Sequence, residues 1–154
     1  MPMILEKRAS QAKPSSDFDA AELKANDRNG HVGQTLVSES DRVRVWLISL
    51  QPGERLPFHR HVLDYFWTAL EPGRGRSRYA DGTTREHEYV AGETRHLKYA
   101  VGESMVHDLT NIGKTELSFV TVEFLDSANR ALSLERKQRC CGDNKQHYEC
   151  STGK

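Results

Sequence analysis

Two runs with alternating residue character constrain this chain most. RVRVWLISL sets Val43, Val45 and Leu47 on one face, with Arg42, Arg44 and Trp46 on the other. In ELSFVTVEFL, Leu117, Phe119 and Thr121 alternate with Ser118, Val120 and Val122. A period of two belongs to an extended strand, whose successive side chains point to opposite faces, and β-branched and aromatic residues suit its pleated surface. Between the two runs lie shorter strand-like segments, punctuated at Pro52-Gly53, Pro72-Gly73, Asp81-Gly82, Gly92 and Gly113. Asp81-Gly82 predicts a type I′ hairpin, which needs positive φ at both central residues, pairing RSRYA with TTREHEYV. Short strands at about 8–12-residue spacing predict an all-β sandwich or barrel. The apolar share of 36% agrees, since strands that bury one face use apolar residues economically.

Three zones follow. Residues 1–33 are a polar N-terminal lead-in holding one short helix candidate, AAELKA, with Asp17 or Asp19 as its cap. Residues 34–126 form the β-barrel. Residues 127–154 are read as a C-terminal helix over ANRALSLERKQR or as a flexible tail. The length of 154 residues suits one domain with a real core and no need of disulfides.

Charge narrows the partners. Lys and Arg total 22 against 22 Asp and Glu, so no basic excess is available for nucleic acid or an anionic membrane surface. No apolar run approaches the ~20 residues of a membrane span. The first residues, MPMILEKRAS, hold too short an apolar stretch for a signal-peptide core. The three cysteines, Cys140, Cys141 and Cys150, all sit near the C-terminus rather than spread through the body as a secreted disulfide framework would be. These features predict a cytoplasmic protein with a small-molecule partner.

Chemistry concentrates in the histidines. His59 and His61 are two apart, so on a strand both imidazoles face the same side and make half of a transition-metal site. The pair alone is a weak signal, since about 0.3 such pairs arise by chance at this histidine content. Its setting strengthens it. Gly53 precedes the strand with a turn and Gly73 follows it; a third histidine, His107, lies on a later strand with Asn111 four residues on. His87, His96 and His31 carry no such context. His147 with the three cysteines has zinc-ligand types, but adjacent cysteines match no zinc framework.

With these residues in place, the chain resembles a single-domain cupin. Gly53, His59, His61 and Gly73 follow the family's first motif, G-x5-H-x-H-x3,4-E-x6-G, and His107 and Asn111 follow the end of the second, G-x5-P-x-G-x2-H-x3-N. The likeness covers about residues 35–125. It implies a jelly-roll barrel, a homodimer, and one divalent transition metal on His59, His61 and His107. HRHVLDY is further similar to cupins linked to beta-alanine degradation.

The departures shape the function that the resemblance implies. Tyr65 stands where the family has its ligand Glu, with Asp64 beside it, and the Pro-x-Gly of the second motif is missing around Gly102 and Ser104. A three-His site of this kind resembles the thiol and diketone dioxygenases of the superfamily. It implies iron, with zinc, nickel, manganese or copper as alternatives, and a small carboxylate, keto or thiol substrate. Tyr65 is the candidate catalytic group, as a hydrogen-bond donor to a metal-bound ligand. It could otherwise be a tyrosinate ligand or a packed aromatic. Asp64 becomes a further ligand if a bulge turns it inward. Arg55 or Arg60 is the candidate clamp for a substrate carboxylate, within an Arg-rich set otherwise read as a solvated face. Strand parity with the histidines turns Tyr65 and Trp67 inward, which makes Trp67 a candidate substrate contact. A non-catalytic binding or sensor protein and a metal-assisted isomerase or lyase are the alternative functions.

Overall fold

The structure, a computed structural model, describes residues 20–134. One helix, α1 (Ala20–Ala25), precedes nine strands. These are β1 (Thr35–Glu39), β2 (Val43–Leu50), β3 (Arg55–His61), β4 (Tyr65–Ala69), β5 (Gly73–Arg78), β6 (Thr84–Tyr89), β7 (Thr94–Leu97), β8 (Met105–Asn111) and β9 (Leu117–Phe124). All pairings are antiparallel. They form a five-stranded sheet, β1-β2-β9-β4-β7, and a four-stranded sheet, β3-β8-β5-β6. The all-β jelly-roll expectation holds, and AAELKA is the one helix among the described residues.

Alternation decides what each strand buries. On β9 the odd residues Leu117, Phe119, Thr121 and Glu123 face the interior, as its sequence predicts. On β2 the buried face is Trp46, Ile48 and Leu50, while Val43, Val45 and Leu47 are only half-buried. The indole and the two aliphatic chains at the end of the run outweigh the face that carries Arg42. Ile48, Leu50, Leu56, Ala69, Leu109, Leu117 and Phe119 form one apolar cluster between the sheets.

One irregularity governs the site. Along β3 and β8, Leu56 pairs with Leu109 but His59 pairs with His107, so the register slips between them. Pro57 lies in this slip and has no N–H to give the ladder, which confines it to a bulge or edge. The slip lets Leu56 and His59, of opposite parity, both face inward. Arg55 and the fully buried Phe58 are turned to the outer face of the sheet. There the Arg55 and Arg78 guanidiniums each stand 5.3 Å from the Phe58 ring centroid.

The Asp81-Gly82 hairpin joins β5 to β6 with Arg78 opposite Thr84. Its loop is one residue longer than predicted. Tyr79 O accepts from Gly82 N, and Thr83 O accepts from Tyr79 N, both at 2.9 Å. That pattern is a type I turn followed by a left-handed residue, and Gly82 fills this place with φ 84°. Asp81 Oδ1 accepts from the Thr83 N–H and hydroxyl, which holds Asp81 in the turn instead of in a left-handed pair with Gly82. At the C-terminal side, residues 128–134 of the expected helix are irregular. The remainder of that helix, the cap candidates Asp17 and Asp19 of α1, and the His147 and cysteine group lie outside the described residues.

Candidate metal centre

β3 and β8 bring His59, His61 and His107 together, with side-chain donor atoms within 4.8 Å of one another. The Nε2 atom of His61 lies 3.1 Å from Nε2 of His59 and 3.1 Å from Nε2 of His107. His59 Nδ1 lies 2.8 Å from the Pro57 carbonyl oxygen, which only accepts, so Nδ1 carries the hydrogen and Nε2 the lone pair. The bulge proline thus exposes the carbonyl that fixes this tautomer. Burial holds His59 down at about 4. It holds His61 and His107 well below their usual value, with repulsion from neighbouring imidazoles adding to burial. All three rings are neutral at pH 7, the state in which imidazole binds a metal.

These rings cannot satisfy one another. His61 Nε2 has a single hydrogen or a single lone pair, yet it faces two nitrogens. Nδ1 of both His61 and His107 is buried without a hydrogen-bond partner. A divalent cation accepts converging lone pairs and removes the conflict. Metal–imidazole bonds of about 2.0–2.1 Å turn an N–N edge of this length into an angle of about 95–100°, within the range of octahedral and tetrahedral sites. The residues present therefore fit a transition-metal ion.

The histidines line a cavity of about 60 Å³ between the sheets. Its walls include Ile48, Leu56, Leu109 and Phe119, and Ser77 and Thr121 add hydroxyls. Among the described residues, no Arg, Lys, Asp or Glu lines it. A larger basin of about 540 Å³ opens beside Arg42, Asp64 and Lys98, but none of the three ligand histidines reaches it, so the smaller cavity is the chemical one.

Tyr65 and Trp67 both line the histidine cavity, on the inward face where strand parity puts them. Tyr65 stacks on His61, with ring centroids 4.2 Å apart and planes 16° from parallel. Burial, then the nearby Tyr99, raise its hydroxyl well above the usual phenol value, so it stays protonated. The Tyr65 and Tyr99 rings are 6.3 Å apart, close enough to influence each other's titration. Tyr99 Oη nonetheless makes no hydrogen bond of normal geometry.

Three other expectations are corrected. Asp64 is not turned inward: its Oδ1 accepts from Tyr99 N at 3.0 Å, and β4 begins after it without a bulge. Arg55 is not at the barrel mouth, because the slip at Pro57 faces it outward; it bonds Asp108 and Glu22, each at 2.7 Å. Arg60, between the two histidines, also faces outward by plain alternation and pairs with Asp27 and Ser104. Among the described residues, no carboxylate clamp faces the cavity.

Several residues of the site region carried no motif. Asp108 is fully buried behind His107, where it accepts from Arg55, from the Arg78 backbone and from the Arg78 guanidinium. Glu123 is buried on the interior face of β9, and Trp46 Nε1 donates to its Oε2 at 2.8 Å. Alternation in ELSFVTVEFL was signal enough to find Glu123. Nothing local marks Val32, which lines the cavity from outside the strands.

Known structures are similar to this chain. A cupin domain from Bordetella pertussis is 24% identical, with a TM-score of 0.52, over 58% of this chain and 88% of that one. A protein with a double-stranded β-helix domain from Klebsiella pneumoniae is 25% identical, with a TM-score of 0.49, over 64% of this chain and 81% of that one. A sugar phosphate isomerase from a cupin superfamily, from Silicibacter pomeroyi, is 23% identical with a TM-score of 0.41; the match covers 55% of this chain and 51% of that one. No family model and no curated protein matches the sequence. The chain has the cupin fold, and the beta-alanine likeness finds no support among these structures. No helix among the described residues is long and apolar enough to cross a membrane.

Proposed function

We propose that this cupin-fold chain is a metal-dependent enzyme of the dioxygenase type, with iron on His59, His61 and His107 and a small keto or thiol compound as substrate. One observation carries the reading: three neutral imidazoles, two buried and one half-buried, converge through Nε2 on a cavity that no charged side chain of the described residues lines. When bound, the ion supplies Lewis acidity, one-electron chemistry with dioxygen, and positions for a chelating substrate.

The chain's own residues do the rest. The Pro57 carbonyl presents His59 Nε2 as a donor. Tyr65 orients His61 by stacking and keeps its proton on Oη, so it can donate a hydrogen bond but cannot act as a base near neutrality. Leu56, Leu109 and Phe119 exclude water, which strengthens every polar contact inside. The same lining narrows the substrate. Among the described residues no cationic side chain lines the cavity, so a substrate's negative charge would be met by the metal alone, which suits a chelating enolisable diketone or a thiol. The shortage of acid–base groups also disfavours a metal-assisted isomerase or lyase.

Oxygen uptake tests the proposal. Protein reconstituted anaerobically with Fe(II) is mixed with dioxygen and 2,4-pentanedione, a small thiol or a keto acid in turn. Substrate-dependent uptake, slowed in Tyr65→Phe, is expected with the diketone or the thiol. Binding of these compounds without any uptake would transfer the reading to a non-catalytic binding protein.

A further inference from the structure

We infer that Val32, carried on the segment that leads from α1 into β1, sets the size of compound that the histidine cavity accepts. This rests on the metal reading above for what the compound does, but not for where it sits. Of the described residues lining the cavity, Val32 alone lies outside a strand. Its side chain is 1% exposed, and its neighbours in the wall include His59, His61 and His107. Binding loops on rigid scaffolds are where specificity is commonly adjusted, because they change without breaking a sheet.

The segment cannot back away from a bulky ligand. Asn29 fixes its start, with Nδ2 donating to the Phe58 carbonyl at 3.0 Å and its own carbonyl accepting from Arg60 N at 2.7 Å. His31 sets its ring edge against Trp46, with centroids 5.7 Å apart. Just past Val32, Gln34 N donates to the Leu47 carbonyl at 3.2 Å and Gln34 Oε1 accepts from Ser49 N at 2.6 Å. The backbone is also tight on both sides. A Cβ at Gly33 would stand 2.6 Å from Trp46 Cβ, and one at Gly30 would stand 2.9 Å from Leu132 Cβ. Behind it, Glu22–Arg55 and Asp27–Arg60 tie the helix end of the lead-in to β3, the strand that carries two of the histidines. Val32's branched methyls are therefore a fixed wall. The compounds that pass are chelators with a short carbon skeleton, and a large substituent meets Val32.

The test uses 2,4-pentanedione as the small probe and 1-phenyl-1,3-butanedione as the bulky one. Cobalt(II)-loaded wild type, Val32→Ala and Val32→Phe are titrated and followed by visible absorption of the bound ion. Wild type is expected to prefer the small probe. Val32→Ala should improve the bulky probe's relative affinity by about tenfold or more, the scale of hydrophobic size discrimination, and Val32→Phe should weaken both. The same titrations on metal-free protein are read from the methyl resonances of Leu109 and Leu56. An unchanged affinity ratio in a folded Val32→Ala protein, in either form, overturns the inference. Failure of wild type to take up cobalt, with the size effect intact in the metal-free titration, overturns the metal reading and leaves the role of Val32 supported.

Discussion

Replacing Glu123 with Gln should abolish one specific pH dependence of stability. Glu123 lies between Arg44 and Tyr65 as their Cα partner on β9, is 3% exposed, and accepts from Trp46 Nε1 at 2.8 Å. Burial pushes its carboxyl up to about 7 from the usual 4.5, and the Trp46 hydrogen bond and the Arg44 charge only partly oppose this. From pH 4.5 to about 7 the folded chain keeps a proton that the unfolded chain releases, so stability falls as pH rises through this window and the loss is complete above it. At about 1.4 kcal/mol per pH unit, the loss reaches about 3 kcal/mol. Glutamine keeps the carbonyl that accepts from Trp46 and cannot ionise. Urea unfolding of metal-free wild type and Glu123→Gln across this range reads the effect directly, because the histidine titrations are common to both proteins and cancel. The variant should gain about 3 kcal/mol relative to wild type between acid and mildly alkaline pH. A difference that stays flat across the range would refute the claim that Glu123 is buried as a neutral acid.

Other residues give sharper local tests. Asp108→Asn leaves Arg55 and Arg78 without their shared carboxylate; since both arginines reach solvent, the expected cost at pH 7 is about 2–4 kcal/mol by urea unfolding, and a cost under about 0.5 would contradict the buried-pair account. Gly33→Ala drives a methyl to 2.6 Å from Trp46 Cβ and should lower stability by about 1–3 kcal/mol, whereas an unchanged melting temperature would mean that the lead-in segment can shift. His59 stays neutral in the fold down to about 4, while the unfolded chain protonates from 6.5, so stability is lost as pH falls through that interval. At pH 5 the loss from this residue is about 2 kcal/mol in metal-free protein. His59→Gln should lack that part of the acid sensitivity, and equal acid slopes for the two proteins would count against a neutral His59.

The alternating runs made β2 and β9 readable from residue types, because a two-residue period has one structural meaning, and Asp81-Gly82 located the hairpin but not its turn type. His59 and His61 were readable for the same reason, and so were Tyr65 and Trp67, four and six residues beyond His61 at the slip-free end of that pattern. Arg55 was not. Its parity matches His59 on an ideal strand, and only the slip at Pro57 turns it outward. Asp108 was hidden by its place beside His107, since its role depends on Arg55 and Arg78 from two other strands. Val32 lies in a segment with no period, and its position in the cavity follows from tertiary anchors at Asn29 and Gln34 that are distant in sequence from their partners.

Anaerobic reconstitution with Fe(II), followed by elemental analysis of the desalted protein, tests the central claim most directly. Wild type should retain about one iron per chain, and His107→Ala, verified as folded by circular dichroism, should retain less than about a tenth as much, because the two remaining imidazoles do not make a site. Wild type without bound iron or any other supplied transition metal, or a His107→Ala protein that binds as much as wild type, would contradict it.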